Sequence, residues 1–393
     1  MRVAINGMFW AEPNVGSGQY LRGLLGGLAE AAPQHEYVLL VPGYRLGERP
    51  TTKDEFAEFS SCSVLRLSSI VVKTPFDGRS ANLAKLWFEQ IGVPLAAARA
   101  GADLLHVLYF APPLVSPVPV VATVLDIIPL LLPEYRGGAA VRAYMRLVAR
   151  AAARAREVIA ISECSRRDIV RRLGCPPDRV TAIPLAAGAQ YAPGDRVRDA
   201  AEVAERYGLR GPYVYYVGGL DARKNVPTLL RAWARLRSSG GPPASLAIAG
   251  RSLGRDPRLF PDIDALIGEL GLRDSVARLD VPQADNPLLY RAATAFAFPS
   301  RYEGFGLPPL EALASGTPAA VSGASSLPEV VGDAALIVAP DDVPAWAAAL
   351  WRLLDDPALR DDLRRRGLAR AAQFSYDRTA RATADIYTRA LEK

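Results

Sequence analysis

The chain has 393 residues, with 47 Lys and Arg against 41 Asp and Glu, two His and a net charge of +6. That length is too great for one ordinary core and fits two domains of about 150–200 residues each. The charge excess suits a phosphate-bearing ligand or an anionic surface and is too small to argue for nucleic acid. Cys62, Cys164 and Cys175 have no metal spacing, and an odd count points to a reducing, cytoplasmic setting. With His35 and His106 alone, a histidine-rich metal site is not expected.

Residues 1–6 read as a strand rather than a charged leader. No apolar run approaches about 18 residues, which argues against a spanning helix. After strand 3–6 comes a loop with Gly16 and Gly18, then a helix over about 19–31. This is either a cradle for an anion or sugar, or glycines that only shape a loop. The GxGxxG dinucleotide fingerprint does not occur.

Strands follow at 37–41 and 64–67, with a polar, irregular passage over 45–60. Residues 84–100 are helical with interruptions at Gly92 and Pro94, and 102–107 form a strand. Residues 120–125 are almost continuously apolar, the signature of a parallel strand covered on both faces. Ligands in open α/β sheets sit outside the carboxyl ends of strands, which makes His106 and Asp126 candidates. The helix 139–156 carries Arg142, Arg146, Arg150 and Arg154 on one side. That stripe is either a solvated face or a contact with an anionic membrane surface. Strand 158–161 leads to Ser162, an N-cap for a helix over 163–173, and 180–184 closes this half.

A Gly/Pro-bearing, strand-poor passage over 186–198 precedes a fresh alternation. It sets domains of 1–190 and 211–375 with a linker over 191–210. Strand 213–217 is followed by Gly218, Gly219, Arg223 and Lys224 before a helix over 226–238. Cations at a loop-to-helix junction suit a pyrophosphate held by backbone N–H groups, without Walker spacing. Strand 244–249, helix 263–270, strand 275–279 and helix 288–292 lead to the apolar strand 293–299.

Next, Gly304 and Gly306 form a loop, Pro308 and Pro309 suit a first helical turn, and Gly316 suits a cap. Glu303 stands on the loop and Glu311 one turn into the helix, flanking a helix N-terminus that can take an anion. From geometry alone, an ordinary connection with two surface glutamates fits equally well. Strand 319–321, a turn over 323–326 and helices about Glu329 and over 344–354, 357–373 and 376–393 complete the chain. Alternation in both halves argues two parallel-sheet α/β domains facing across a cleft.

Together these motifs resemble glycosyltransferase family 4, the retaining GT-B transferases of group 1, and most closely the lipopolysaccharide mannosyltransferase-like members. The specific piece is E-G-F-G-L-P-P-L-E-A-L-A-S-G-T-P from Glu303 to Pro318. Gly218-Gly219 with Arg223-Lys224-Asn225, I-S-E-C-S at 161–165 and Pro299-Ser-Arg-Tyr302 support it. The resemblance implies two Rossmann-like domains, donor on the second and acceptor on the first, with 376–393 crossing back to the first. It implies that Arg223 and Lys224 bind the donor diphosphate, Glu311 the ribose hydroxyls and Glu303 the transferred sugar. The backbone of Phe305, Gly306 and Leu307 would contact phosphate and sugar. Gly16, Gly18 and Gly219 would approach the donor, and Val281 would lie near the base.

The same members commonly carry His before the Asp at the end of strand 120–125, where this chain has Leu125. Asp126 is then the first candidate for a polar catalytic helper and His106 the second. The implied activity is a retaining, metal-independent hexose transfer from a nucleotide-sugar, tilted toward GDP-mannose. The acceptor is a glycan or lipid-linked glycan of cell-surface polysaccharide, with no cofactor and no nucleic acid. The setting is cytoplasmic, with peripheral contact at the inner membrane face as an open alternative. Competing readings are an epimerase or phosphorylase on the same architecture, or a catalytically silent sugar-nucleotide-binding protein.

Overall fold

The computed structural model describes residues 1–13, 15–45, 66–252, 254 and 256–392. Cys62, most of the expected irregular passage 45–60 and the start of the expected strand 64–67 lie outside them. The chain divides into two compact units, Met1–Leu185 with Ser375–Lys393, and Ala186–Phe374.

The first unit holds a parallel sheet of β1 (Arg2–Asn6), β2 (Glu36–Pro42), β3 (Arg66–Val72), β4 (Leu104–Val107), β5 (Val120–Val124), β6 (Glu157–Ala160) and β7 (Val180–Ala182). Its order is β3-β2-β1-β4-β5-β6-β7. The second holds β8 (Tyr213–Val217), β9 (Ser245–Ala249), β10 (Val276–Leu279), β11 (Ala295–Phe298), β12 (Ala319–Ser322) and β13 (Leu336–Val338), in the order β10-β9-β8-β11-β12-β13. Both therefore run outward in two directions from a central pair, the doubly wound Rossmann pattern, and each has a switch point, β1/β4 and β8/β11. β5 and β11 are buried at every position, as strands covered on both faces are.

Several sequence expectations change. Residues 196–207, expected within a linker, form the helix Arg196–Tyr207, capped by Asp195 and belonging to the second unit. Its Val203 is fully buried in that unit's core, and Asp199 pairs with Arg291 at 2.7 Å. The expected helix 84–100 runs as Ala81–Trp87, a π turn Phe88–Gly92 and Val93–Arg99. Pro94 has no N–H for the preceding turn and crowds its carbonyl, and a widened turn absorbs both. β13 and the short helix Ile128–Leu131 had no counterpart in the sequence reading.

The last helix, Tyr376–Glu392, packs on the helix Gly16–Ala31 of the same unit. Two glycines permit that closeness: a Cβ on Gly23 would lie 2.1 Å from the Tyr376 ring, and one on Gly27 2.4 Å from the Tyr376 carbonyl oxygen. No helix among the described residues is long and apolar enough to cross a membrane.

Candidate active site at the switch point of the second sheet

β8 and β11 diverge in connectivity, and the segments leaving their carboxyl ends meet. After β8 a 3-10 turn, Ala222–Lys224, places Arg223 and Lys224; after β11 the chain runs through Ser300 to Glu303. Lys224 Nζ donates to Glu303 Oε1 at 2.6 Å, and Arg223 Nη1 lies 3.0 Å from the same oxygen. Ser300 Oγ donates to it at 2.7 Å. The three charged side chains are 11–13% exposed. Burial works against the Glu303 carboxylate, but Lys224 and Arg223 outweigh it and hold the carboxyl below its ordinary range. Burial in turn lowers Lys224, partly offset by Glu303. Asp221 lies 3.4 Å from Arg223 Nε, so two carboxylates face two cations.

The loop after Glu303 is pinned from the turn following β12. Ser325 Oγ accepts from the Glu303 N–H at 2.8 Å, and Ser326 Oγ donates to the carbonyls of Glu303 and Phe305 at 2.9 and 2.6 Å. Ser325 sits at φ 53°, a left-handed conformation that a non-glycine residue adopts at a cost. Gly306, at φ 119°, opens the helix Leu307–Ala314, and a Cβ there would lie 2.7 Å from Leu327 Cδ2. Among the described residues no side chain caps this helix. Pro308 and Pro309 have no N–H, so the donors at this end are those of Phe305, Gly306 and Leu307. None of the three donates a hydrogen bond among the described residues. Successive unpaired N–H groups at a helix start form a cradle for an anion.

Glu311, one turn on, is buried and accepts from Tyr290 Oη at 3.1 Å. Burial pushes its carboxyl up to about 7, with hydrogen bonds from Tyr290 and Tyr191 acting the other way. The two glutamates are therefore tuned in opposite directions: Glu303 is held ionised, and Glu311 titrates near neutrality. Gly219 follows β8 beside Asp221, and Val281 follows β10 and packs half-buried against the core.

On the first unit, Gly16 begins the helix Gly16–Ala31 and Gly18 lies in its first turn, rather than in a loop before it. A Cβ on Gly18 would fall 1.9 Å from the Glu12 carbonyl oxygen, so this glycine lets the preceding segment fold onto the helix. Asp126 is half-buried just beyond β5, where it caps the Ile128 N–H at 3.1 Å. His106 does not fit a catalytic place. It pairs with Ile5 and Val121 inside the sheet and is fully buried. Its Nδ1 lies 2.7 Å from Tyr387 Oη and its Nε2 2.8 Å from Thr123 Oγ1, which leaves neither nitrogen for a substrate.

Sequence reasoning missed Ser300, Ser325, Ser326, Tyr191 and Tyr290, which orient the two glutamates. In the sequence, Ser325 and Ser326 mark only a turn. Among the described residues no three His, Cys, Asp or Glu are grouped to hold a metal.

Two doubly wound parallel sheets, the second with a cation–carboxylate cluster and an anion cradle at its switch point, define a GT-B glycosyltransferase. Residues 199–370 match the model of glycosyl transferases group 1, and residues 15–186 the glycosyl transferase 4-like domain. The chain is 36% identical to O-antigen chain mannosyltransferase B of Escherichia coli over 273 residues, 68% of this chain and 69% of that one. It is 26% identical to the serotype-specific mannosyltransferase WbdA of Escherichia coli over 381 residues, 93% of this chain but 46% of that one. In fold it is similar to Anabaena Alr3699/HepE, solved with UDP and glucose, with a TM-score of 0.73, 18% identity and 99% of each chain covered. The chain belongs to the group 1 glycosyltransferases of family 4.

Proposed function

We propose that the chain is a retaining hexosyltransferase that takes a sugar from a nucleoside diphosphate, with GDP-mannose as the first donor to try. The observation that carries this reading is the row of unpaired N–H groups at Phe305, Gly306 and Leu307 beside Arg223 and Lys224. As the sugar–phosphate bond breaks, charge builds on the leaving diphosphate, and fixed donors with two cations stabilise it without reorganisation. In this scheme the charge is met by side chains and backbone rather than by a metal. Glu303 and Glu311 accept hydrogen bonds from the transferred sugar and the ribose respectively. Asp126 is the first unit's candidate for handling the acceptor hydroxyl. Retention follows from front-face attack, the departing phosphate oxygen taking the acceptor's proton.

Relatives named as mannosyltransferases support the sugar, and the acceptor is a glycan or lipid-linked glycan. The neighbour solved with UDP and glucose supports a nucleotide-sugar on this fold and makes UDP-hexoses the second donors to test. Thermal-shift measurements with GDP-mannose, UDP-glucose and dTDP-sugars, followed by NMR of the product, test the proposal. One donor should raise the melting temperature and its sugar should reach a membrane-glycan acceptor with unchanged anomeric configuration. Inverted product would overturn retention. A changed sugar without acceptor would make the protein an epimerase, and binding without transfer a silent one.

A further inference from the structure

The first unit carries a second concavity that the transfer reaction does not use. It has a volume of about 780 Å³ and lies where β5, β6 and β7 begin, at the opposite end of the sheet from Asp126. One wall is apolar, including Val115, Pro117 and Pro119, and Val115 is 75% exposed. The other wall bears Arg154, at the end of the helix Ala139–Arg154, with Arg156 before β6 and Arg179 before β7. Arg156 and Arg179 are half-buried.

None of these three guanidinium groups takes part in an ion pair or side-chain hydrogen bond among the described residues. The acid nearest in sequence to Arg156, Glu157, is fully buried and bonded instead to Arg389 at 2.7 Å. The guanidinium nitrogens of Arg156 and Arg179 are not among the buried ones and stay open to a ligand, and a guanidinium fork matches phosphate oxygens bidentately. Arg146 and Arg150, exposed on the same helix and likewise without a partner, extend the basic stripe away from Arg154.

We propose that this concavity takes the phosphate headgroup of an anionic lipid. Arg156 and Arg179 hold the phosphate, and the Val115, Pro117 and Pro119 wall meets the first carbons of the chain. The apolar wall selects a lipid over a free anion, which would gain nothing from it. The Arg146–Arg150–Arg154 stripe lies against the surrounding anionic surface, where each such cation contributes to binding. The site is independent of the transferase reading and would stand if that failed.

Vesicle flotation of the full chain tests it, with phosphatidylcholine vesicles containing or lacking phosphatidic acid. The wild type should float only with phosphatidic acid, and Arg156→Ala/Arg179→Ala should bind at least about tenfold more weakly with an unchanged melting curve. Arg156→Lys/Arg179→Lys keeps the charge but not the fork and should also weaken binding. That pair decides the matter if the alanine pair does not fold. No flotation of the wild type, or full binding by either pair, would overturn the proposal. Displacement by inorganic phosphate as readily as by lipid would also overturn it, since the ligand would then be a free anion.

Discussion

Lys224 and Glu303, 79 residues apart, meet through a 2.6 Å hydrogen bond at the switch point of the second sheet, with both side chains buried. Removing one partner of such a pair strands a buried charge and costs about 3–5 kcal/mol, whereas replacing both is far milder. Here Arg223 still faces the carboxylate, so Lys224→Met falls at the lower end of that range. Glu303→Gln leaves Asp221 alone to face both cations, with Lys224 losing its paired carboxylate, and should cost more. Urea unfolding of the two single variants and of Lys224→Met/Glu303→Gln should show the double well short of their sum. Turnover should drop by over about tenfold in all three. Strictly additive stabilities would mean the pair is not coupled.

Glu311 gives a pH signature. Its folded value of about 7 lies above the ordinary 4.5, so the native state holds a proton that the unfolded chain releases. This stabilisation is complete below 4.5 and is lost as pH rises through about 7. Glu311→Gln should therefore raise the melting temperature above that range and leave it little changed below it. If the ionised carboxylate grips the ribose, donor affinity should fall as pH drops through about 7. Tyr290→Phe removes a hydrogen bond that lowers the value and should move that midpoint upward. Donor binding that is flat across this window would remove Glu311 from the donor site.

Much of the second unit was legible because its local signals agree. The expected strand 213–217 and helix 226–238 coincide with Tyr213–Val217 and Val226–Ser238, and Pro308 and Pro309 stand in the first turn of the helix Leu307–Ala314 as expected. What was not legible depends on contacts distant in sequence. Ser325 and Ser326 act on Glu303 and Phe305 from more than twenty residues away, and nothing in a Gly-Ala-Ser-Ser turn announces that. His106 was read as a strand-end residue, but its register with Ile5 and Val121 puts it inside the sheet. The helix Arg196–Tyr207 was hidden by its charge, since Val203 is its one fully buried apolar anchor.

Ser325 separates backbone strain from hydrogen bonding. Ser325→Gly relieves a left-handed conformation that costs about 1–3 kcal/mol in a non-glycine residue, but loses the acceptor for the Glu303 N–H. Ser325→Ala keeps the strain and loses the acceptor as well. Alanine should therefore be the less stable variant by thermal unfolding, while both lose turnover because the Glu303 loop is no longer pinned. Equal stabilities would show that the hydroxyl, not the backbone angle, dominates at this position.

His106 and Tyr387 tie the last helix to the first sheet, and the tie should fail in acid. His106 Nε2 meets Thr123, Thr123 meets Tyr20 Oη at 3.2 Å, and His106 Nδ1 meets Tyr387 Oη, so a buried polar chain joins β4, β5 and two helices. Burial lowers the imidazole from 6.5 to about 3. The unfolded chain then binds a proton that the native state refuses, so stability is full above 6.5 and falls as pH drops toward about 3. His106→Gln should flatten that acid limb when urea midpoints are followed across this window. Tyr387→Phe leaves a buried ring nitrogen unmatched and should cost about 1–3 kcal/mol. Neither change should alter turnover per folded molecule, because neither ring nitrogen is open to a substrate. A His106→Gln protein that melts like the wild type but has lost turnover would return His106 to the reaction.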